Sequence, residues 1–453
     1  MSSSDARPAW QLPVQWPAAA TARKVRLPAP ASQAGAGFRE PLLKAAILFA
    51  MLALTVLDRF GLRVVGDSSV PIGMMAMYGL AGAMLLTGAA EPNFRATRTY
   101  LAIALVATLS LLVNAAFTPL SFVSRMSFLL LILLYLPLCV TLRREAISPD
   151  LWRWTIGLYV AFAVFVAIAG IAQYFAQFVF RPGWLFDYTP LLPERLRATR
   201  GWNTAYTVGI NLPGAWTKSN GFFMREPSIF SIVMAFGLLC ELSLARRKWV
   251  MALLGLGLVI SYSGSGLLCL AVALLFPLGR TTLIRVLAFA FLAAAIFFLF
   301  RDALNLSYTV NRFDEFLVRN SSSYCRFVAP GAEAIRQINS DPWTSLLGHG
   351  PGSLVRMGGE CANNWTQTTY AKVVIEYGLL GTLAFVVLMF GALNRSGAPI
   401  RIRVAAAVAW LLLGGNLLDS LHLLFIYVVS AMWPEHTARA ALKRDTPHRG
   451  SPA

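Results

Sequence analysis

The sequence predicts an all-α polytopic membrane protein with about twelve transmembrane helices. Its N- and C-termini are expected in the cytoplasm, and large loops near residues 181–226 and 301–370 on the opposite side. Of its 453 residues, 57% are hydrophobic and only 13% are charged, whereas soluble globular proteins are about 25% charged. So few charges would not keep a chain of this length in water. The composition excludes soluble enzymes and nucleic-acid-binding modules, although the net charge is +18.

The apolar runs set the domain organisation. A bilayer core about 30 Å thick needs about 20 apolar residues per helix. Residues 1–40 lack such a run and are rich in Pro, Ala and basic residues, which predicts a disordered cytoplasmic tail. Residues 41–433 are the predicted membrane domain, and residues 434–453 a second cytoplasmic tail. Candidate spans centre near residues 50, 80, 108, 133, 165, 235, 290 and 382.

Two further apolar stretches are each predicted to form a pair of short helices. Residues 249–278 would make a single helix about 45 Å long at ~1.5 Å per residue. That is too long for one span unless it tilts strongly, and the tetrapeptide SGSG at 263–266 lies at its middle. Residues 404–433 are divided in the same way by GGN at 414–416.

The distribution of Lys and Arg supports this topology. With the N-terminus inside, the basic clusters between the spans fall on the cytoplasmic side, as the positive-inside rule requires. An eleven-span interpretation, with 249–278 as one helix, would leave Arg395, Arg401 and Arg403 outside and is rejected. Loops longer than about 12 to 15 residues are usually functional or disordered. The two large loops are therefore the candidate functional regions.

The loop at 181–226 contains more basic than acidic residues, against the positive-inside rule. This excess of positive charge favours binding of an anion. Phosphate is a suitable anion because the Arg guanidinium binds it bidentately. At a membrane surface, such phosphates belong to lipid headgroups or lipid-linked substrates. Headgroup anchoring by snorkelling side chains is the alternative, especially for PERLRATRGW, which resembles an interfacial helix. The basic residues are Arg181, Arg195, Arg197, Arg200, Lys218 and Arg225.

Arg225 is the strongest anion-binding candidate in this loop. In GFFMREPSIF it directly precedes an apolar helix, and Pro227 suits the first turn. Glu226 and Ser228 then lie at the helix start, where backbone N–H groups favour anions. The alternative is a capped helix start at the membrane interface, for which Glu-Pro-Ser is ordinary.

The loop at 301–370 is balanced in charge but contains two distinctive segments. Arg326 lies in SSSYCRFVAPGAEAIRQI, which predicts a helix capped by Ser at its start. LLGHGPGSL follows, and its Gly and Pro residues predict a tight turn that a ligand can approach closely. No strand precedes this turn, so it is not a nucleotide-binding motif. His349 in the turn is a candidate base or a structural residue, and no His spacing suits a metal.

The chain returns to the membrane through NNWTQTTYAKVVIEYGLLG. Lys372 and Glu376 lie near the start of this span, where an ionisable residue is a functional candidate by default. They could equally form a plain i,i+4 ion pair.

Cys325 and Cys361 are the only loop cysteines, and in an oxidising compartment they could form a disulfide.

The order of these motifs resembles that of the O-antigen ligase and Wzy-type polysaccharide polymerase superfamily. The resemblance covers roughly residues 200–390, through GFFMREPSIF, SYSGSGLL, SYCRF, LLGHGPGS and VVIEYGLLG. It implies a metal-independent glycosyltransferase of the bacterial inner membrane, with no cofactor, using glycans on undecaprenyl diphosphate at the periplasmic face. By motif position it implies that Arg225 and Arg326 hold the diphosphate. Arg200 and Lys218 are further candidates from the charge of the first loop.

One departure from the family pattern favours the polymerase branch. Ligases carry His followed by Asn, Ser or Gln and, nine residues on, the first Gly of Gly-x-x-Gly. Counting back from Gly378 and Gly381 places Gln367 and Thr368 there. The resemblance thus implies a polymerase joining lipid-linked repeat units of exopolysaccharide, capsule or O-antigen, with a ligase acting on lipid A-core as the alternative. Whether a chain-length regulator protein is a partner stays open.

Transfer from a lipid diphosphate breaks the anomeric C–O bond while negative charge grows on the leaving diphosphate, and cationic donors lower this barrier. The acceptor hydroxyl must also lose a proton. Glu226, Glu376 and His349 remain as candidate bases, and Glu226 is preferred because it would lie beside the diphosphate.

A transporter or flippase of lipid-linked sugars is the alternative functional class. It is disfavoured because the charges gather in the exported loops.

Overall fold

A computed structural model of the chain describes most of the region predicted to lie in the membrane. The described residues are 36–65, 68–117, 119–143, 148–180, 182–198, 207–208, 216–277, 317–319, 324–355, 368–413 and 416–433, with single positions at 284, 291, 299 and 321. Over these residues the chain is mostly helical, in agreement with the predicted fold class.

The described helices follow one another along the chain. In order they are α1 (Ala36–Thr55), α2 (Ile72–Leu86), α3 (Phe94–Phe117), α4 (Phe122–Tyr135), α5 (Pro149–Ala176), α6 (Pro227–Ser243), α7 (Lys248–Ile260), α8 (Gly264–Leu274), α9 (Ala329–Ile338), α10 (Pro342–Leu347), α11 (Thr369–Arg395), α12 (Ile400–Leu412) and α13 (Ser420–Ala431). A π-helical turn, Tyr324–Val328, leads directly into α9.

Short antiparallel strand pairs connect some of these helices. In the first pair, Leu62 lies opposite Val70 and Arg63 opposite Ser69. Each pair is only a few residues long, so the strands shape loops and do not build a sheet core. The pairs are β1 (Gly61–Val65) with β2 (Ser68–Pro71), β3 (Ala90–Pro92) with β4 (Val140–Leu142), and β5 (Thr207–Val208) with β6 (Trp216–Thr217).

Several helices have the length and composition of membrane spans. Within the described part of the chain, four stretches qualify by themselves, namely α3, residues Phe122–Cys139, residues Asp150–Ala176 and α11. The shorter helices α2, α6, α7, α8 and α13 are also apolar. Helices occupy the predicted span positions, except that the span near residue 290 falls almost wholly outside the described residues. The total number of crossings and the sides of the termini stay predictions.

Both predicted breaks between paired short helices are confirmed. α7 ends at Ile260 and α8 begins at Gly264, with Tyr262 between them at φ 45°. α12 ends at Leu412 and α13 begins only at Ser420. The small residues after the first break let α8 approach α6 closely. A Cβ at Gly266 would lie 2.1 Å from the carbonyl oxygen of Ser231.

Helix α6 occupies the centre of the apolar core. Every residue from Phe230 to Glu241 is buried, so this helix is surrounded by protein. Its far end carries a buried carboxylate, Glu241, which accepts hydrogen bonds from Arg247 N at 2.7 Å, Nε at 3.0 Å and NH2 at 2.8 Å. The pairing compensates a charge that would otherwise be costly to bury.

The segment predicted as an interfacial helix, PERLRATRGW, has a different conformation in its described part. Glu194–Leu196 form a single 3-10 turn, and Arg197 is extended and pairs with Phe60 as an isolated bridge. The Arg197 side chain donates to Leu192 O and Pro190 O, both at 2.7 Å. The helix prediction is therefore wrong here, because local side-chain bonds to backbone carbonyls favour a turn.

Candidate functional site

The structure brings the predicted site residues together in two places. Arg225 and Glu226 lie at the start of α6, whereas His349 and Glu376 meet where the glycine turn packs against α11. We describe the α6 site first, then the α11 site, and then the contacts that connect them.

Arg225 is held by a carboxylate from the loop after α1. The backbone N–H of Arg225 donates to Asp58 Oδ2 at 2.7 Å, and its Nε donates to Asp58 Oδ1 at 2.8 Å. The Asp58 side chain is fully buried, and that of Arg225 is 16% exposed. Because both carboxylate oxygens bind the same residue, the pair fixes the start of α6 to the loop after α1.

Helix α13 begins at the same place. Its N-cap residue Asp419 accepts a hydrogen bond from Leu421 N through Oδ1 at 2.8 Å. The other oxygen, Oδ2, lies 3.6 Å from Arg225 NH2. His422, in the first turn of α13, has Nδ1 3.6 Å from Asp419 Oδ1. Asp419 therefore connects Arg225 to His422, and the N-termini of α6 and α13 meet beside Arg225.

Arg59 follows Asp58 in the sequence and is buried beside this site. Its NH1 donates to Asp187 Oδ1 at 2.6 Å and to Thr189 Oγ1 at 3.0 Å, and its NH2 donates to Phe186 O at 2.7 Å. The side chain is 1% exposed. Its guanidinium carbon lies 5.1 Å from the centre of the Tyr188 ring, within the range of a cation–π contact. Arg59 thus fixes the segment 186–189 to the end of α1.

The same segment is joined to the chain before Arg225. Arg59 NH2 also donates to Met224 O at 2.7 Å. Asn220 Nδ2 donates to Phe186 O at 2.9 Å, and Gln173 Nε2 of α5 donates to Asn220 Oδ1 at 2.8 Å. These bonds hold residues 220–224 in a defined path, so Arg225 is presented by an ordered backbone.

Lys218 lies in the chain that leads to this site. It is buried, and the residues on either side of it form hydrogen bonds to two helices. Thr217 N donates to Gln177 Oε1 at 2.7 Å just after α5, and Ser219 N donates to Ile260 O of α7 at 3.3 Å. Lys218 is therefore placed between the ends of α5 and α7.

Glu226 is the N-cap of α6 and lies beside Arg225. Pro227 occupies the first helical position, as predicted. The Glu226 side chain does not cap the backbone; its Oε2 accepts a hydrogen bond from Ser228 Oγ at 2.8 Å. Glu226 is half-buried, and its N-cap position places the residue at the helix start.

Carboxylates outnumber guanidinium groups around Arg225. Burial alone would lower the pKa of Arg225, but Asp58 and Asp419 raise it above its ordinary value. Burial lowers the pKa of Arg59, and Asp187 opposes this effect. Two of these acids, Asp58 and Asp419, come from other segments and contact Arg225. We call the following residues the Arg225 cluster: Arg59, Arg225, Asp58, Asp187, Glu226 and Asp419.

The glycine turn packs against a kink in α11. Gly378 has φ 64° and ψ −164°, so the helical hydrogen-bond ladder is interrupted there. Two carbonyls before the kink bind the turn instead: His349 N donates to Ile375 O at 2.8 Å, and Gly350 N donates to Glu376 O at 3.0 Å. A Cβ at Gly348 would lie 2.5 Å from the Glu376 backbone. The predicted tight turn is therefore required by this close contact.

Glu376 is completely buried beside the kink. Its Oε1 lies 4.0 Å from Lys372 Nζ, so the predicted i,i+4 pair is present at long range. The backbone N–H groups of Gly352 and Leu354 and the Tyr377 hydroxyl lie near the carboxylate. None of them forms a regular hydrogen bond with it among the described residues. The described surroundings thus offer the buried Glu376 side chain only a cation at long range and nearby backbone N–H groups.

Aromatic residues connect the two places. The Tyr135 hydroxyl of α4 donates to Leu417 O at 3.1 Å, two residues before Asp419. The Tyr135 ring contacts Phe385 of α11 edge-on at 5.2 Å between centroids, and Phe385 packs on Tyr377 at 5.7 Å. A continuous packed path therefore runs from the Arg225 cluster to Glu376.

The remaining predicted diphosphate ligands are only partly described. Arg326 lies in the turn Tyr324–Val328, whose start is capped by Ser321 Oγ, an acceptor for Tyr324 N at 3.1 Å. The predicted serine cap is confirmed. The Tyr370 hydroxyl of α11 donates to Phe327 O at 3.3 Å, which places the Arg326 segment beside the first turn of α11. Arg200 lies outside the described residues.

Cys325, next to Arg326, is disulfide-bonded, as the sequence suggests. Cys361, the expected partner, lies outside the described residues. Cys139, Cys240 and Cys269 are free and buried. We expect denatured but unreduced protein to take up three alkyl groups, and reduced protein five, by intact mass. Five alkyl groups without reduction would contradict the disulfide.

Sequence reasoning missed Asp58, Arg59, Asp187 and Asp419. A usable signal existed for three of them. Asp58 and Arg59 are the only charged residues between Lys44 and Arg63, and Asp419 is the only acid between residues 404 and 433. Isolated charges at the edges of apolar runs are functional candidates. These three residues could therefore have been predicted as site residues together with Arg225.

Comparison with known proteins agrees with this picture. A search of curated proteins gives no match. A sequence model of the family described as WcaD colanic acid polymerase matches residues 44–433, which is most of the chain. The match confirms the resemblance to Wzy-type polymerases. It indicates a membrane protein of polysaccharide biosynthesis and an enzyme of the glycosyltransferase type. The chain belongs to the WcaD colanic acid polymerase family.

Proposed function

We propose that the protein joins undecaprenyl-diphosphate-linked oligosaccharide repeat units on the periplasmic face of the bacterial inner membrane. The observation that supports this most directly is the Arg225 cluster, where a guanidinium lies beside the N-termini of two apolar helices, α6 and α13. Helix N-termini and Arg together favour a phosphate group. The disulfide at Cys325 supports an oxidising compartment for the second loop.

In this proposal Arg225 stabilises the negative charge that grows on the leaving diphosphate. Arg326 acts on the same diphosphate from the second loop, and Arg200 and Lys218 add to the positive field. Arg suits this role because it stays protonated near a membrane. The guanidinium groups supply the positive charge, so the reaction as proposed needs no metal or cofactor.

Glu226 is our preferred base for the acceptor hydroxyl. It is the neighbour of Arg225, and its carboxylate already accepts a proton donor, Ser228 Oγ, at 2.8 Å. A sugar hydroxyl bound beside the diphosphate would present its proton to the same carboxylate. Glu376 and His349 are the alternatives. Glu376 is fully buried, and either residue would require the acceptor to reach the glycine turn.

Replacing Arg326 with Ala should stop polymer production while the protein still reaches the membrane. Arg225→Ala should stop it as well, with less protein in the membrane because the buried Asp58 loses its cation. Loss of one preorganised cationic donor typically costs roughly 2.7 to 4 kcal/mol in the barrier, or about 100- to 1,000-fold in rate. Polymer length is measured by gel electrophoresis of cell extracts, and protein by immunoblotting of membranes. Normal polymer in both variants would rule out the proposed site.

Arg336→Ala is the matched control in the same loop as Arg326. The Arg336 side chain is 78% exposed and forms an ion pair with Glu333, three residues earlier, at 3.0 Å. A surface i,i+3 pair of this kind contributes little, so polymer production should remain normal.

A lipid-linked sugar carrier is the second candidate, because the breaks at α7–α8 and α12–α13 and the kink in α11 are features of transporters. Purified protein in detergent, where no membrane separates two compartments, distinguishes the two. A polymerase lengthens lipid-linked glycans under these conditions, and a carrier does not. Transfer to lipid A-core without lengthening would instead indicate a ligase.

A further inference from the structure

We propose that the two acids at Arg225 have different roles. Asp58 holds the guanidinium permanently, whereas Asp419 is the counter-ion that an arriving diphosphate replaces. The inference rests on the proposed function, because it concerns how Arg225 receives the diphosphate of the donor. Two carboxylates already contact this guanidinium, and a diphosphate adds further negative charge at the same place. The diphosphate therefore competes with these acids for the same cation.

Asp58 is the more costly partner to release. Both of its oxygens bind Arg225, one through the backbone N–H and one through Nε, at 2.7 and 2.8 Å. Its side chain is fully buried. Moving Arg225 away would leave a buried carboxylate without its cation, which is strongly unfavourable. Asp58 also binds the backbone of Arg225, so it orients the whole residue.

Asp419 is the less costly partner to release. Its Oδ2 is 3.6 Å from Arg225 NH2, which is longer than a good charge-assisted hydrogen bond. Its side chain is 14% exposed. Its other oxygen keeps the hydrogen bond from Leu421 N at 2.8 Å if Arg225 turns away, and His422 Nδ1 lies 3.6 Å from that oxygen. Asp419 can therefore stay in place as the cap of α13.

The two acids should respond in opposite ways when their charges are removed. Without the Asp419 charge, a diphosphate meets less repulsion and less competition for NH2, so it should bind more tightly. Without the Asp58 charge, the backbone N–H and Nε lose their anchor, so Arg225 is no longer presented correctly. Asp58 is thus a positioning residue, and Asp419 tunes the affinity of the site.

The variants are Asp419→Asn, Asp419→Glu and Asp58→Asn in the full-length protein purified in detergent. Asn caps helices about as well as Asp, so Asp419→Asn removes the charge and keeps the cap. Asp419→Glu keeps the charge. Inorganic pyrophosphate is the probe, and its affinity is measured by calorimetry. KM and kcat for chain lengthening are measured separately with a lipid-linked donor, and thermal denaturation checks folding.

Asp419→Asn should bind pyrophosphate about 10-fold more tightly than the wild type, as expected for removing one like charge a few ångströms away. Its KM for the donor should fall more than its kcat. Asp419→Glu, which keeps the charge, should not show this gain in pyrophosphate affinity. Asp58→Asn should lose about 100-fold in kcat/KM, even in preparations that denature at the wild-type temperature.

Unchanged or weaker pyrophosphate binding in Asp419→Asn would overturn the inference, as would a wild-type kcat/KM in Asp58→Asn. Failure of the proposed function looks different. In that case wild-type protein does not lengthen glycans, while the pyrophosphate affinities of Asp419→Asn and the wild type still show whether Asp419 competes for Arg225.

Discussion

Replacing Gly378 with Ala should remove most of the folded protein from the membrane. The residue has φ 64° and ψ −164°, a combination that essentially only Gly adopts. A Cβ at this position would lie 2.4 Å from the carbonyl carbon and oxygen of Leu346. These are backbone atoms and cannot turn aside as a flexible side chain would. The substitution therefore combines backbone strain with overpacking, and we expect a loss of more than about 4 kcal/mol.

The same substitution should also separate the glycine turn from α11. The turn is held by hydrogen bonds from His349 N and Gly350 N to carbonyls at 375 and 376. If the kink straightens, those carbonyls return to the helical ladder and the turn loses its partners. Membrane protein level is measured by immunoblotting, and the remaining protein by thermal denaturation in detergent.

Gly391→Ala is the matched control on the same helix. Among the described residues, nothing beyond the adjoining backbone of α11 lies within 4 Å of a Cβ built at Gly391, and Ala is the better helix former by about 1 kcal/mol. We expect wild-type or slightly higher stability. A Gly378→Ala protein as stable as Gly391→Ala would show that the kink is not required.

Arg59→Met should destabilise the protein by about 3 kcal/mol, the lower end of the cost of breaking a buried pair, because the Asp187 side chain is 24% exposed. The variant keeps the bulk of the side chain but leaves the Asp187 carboxylate without its cation. It also leaves Phe186 O and Met224 O without their shared donor. Because Met224 precedes Arg225, activity should fall even where the protein folds. Thermal denaturation and chain-lengthening assays measure the two effects.

Arg63→Met is the control in the same loop. The Arg63 side chain is 29% exposed, and its NH1 lies 3.7 Å from Glu194 Oε2. A partly exposed pair of this length contributes about 0 to 1 kcal/mol. Equal destabilisation by both substitutions would mean that Arg59 contributes no more than an ordinary surface charge.

The helical breaks could be predicted from the sequence because their causes are local. Runs of Gly and Ser, or Gly and Asn, in the middle of an apolar stretch are weak helix formers, and the chain breaks there at 261–263 and before Ser420. Pro227 at the helix start and the Ser321 cap are local as well. The segment around Glu194 was mispredicted because Arg197 binds nearby carbonyls, which residue types alone do not reveal.

The site could be predicted only in part. Arg225 and Glu226 were found because their motif lies at a helix start. Their partners were not, because Asp58 is 167 residues away from Arg225 in sequence and Asp419 comes from the last described helix. Such pairings depend on tertiary packing. The charge of the first loop was likewise an incomplete guide, since Asp58 and Asp419 from two other segments also contact Arg225.

Helix α6 is secured by charge at both of its ends. Arg225 and Asp58 secure the end where it begins, and Glu241 with Arg247 secures the other. Sliding by one helical turn, about 5.4 Å, would separate the buried Asp58 from Arg225 and strain the link between Glu241 and Arg247. Movement of α6 along its axis is therefore unfavourable, and we expect any widening that admits a bulky glycan to come from the helices packed around it.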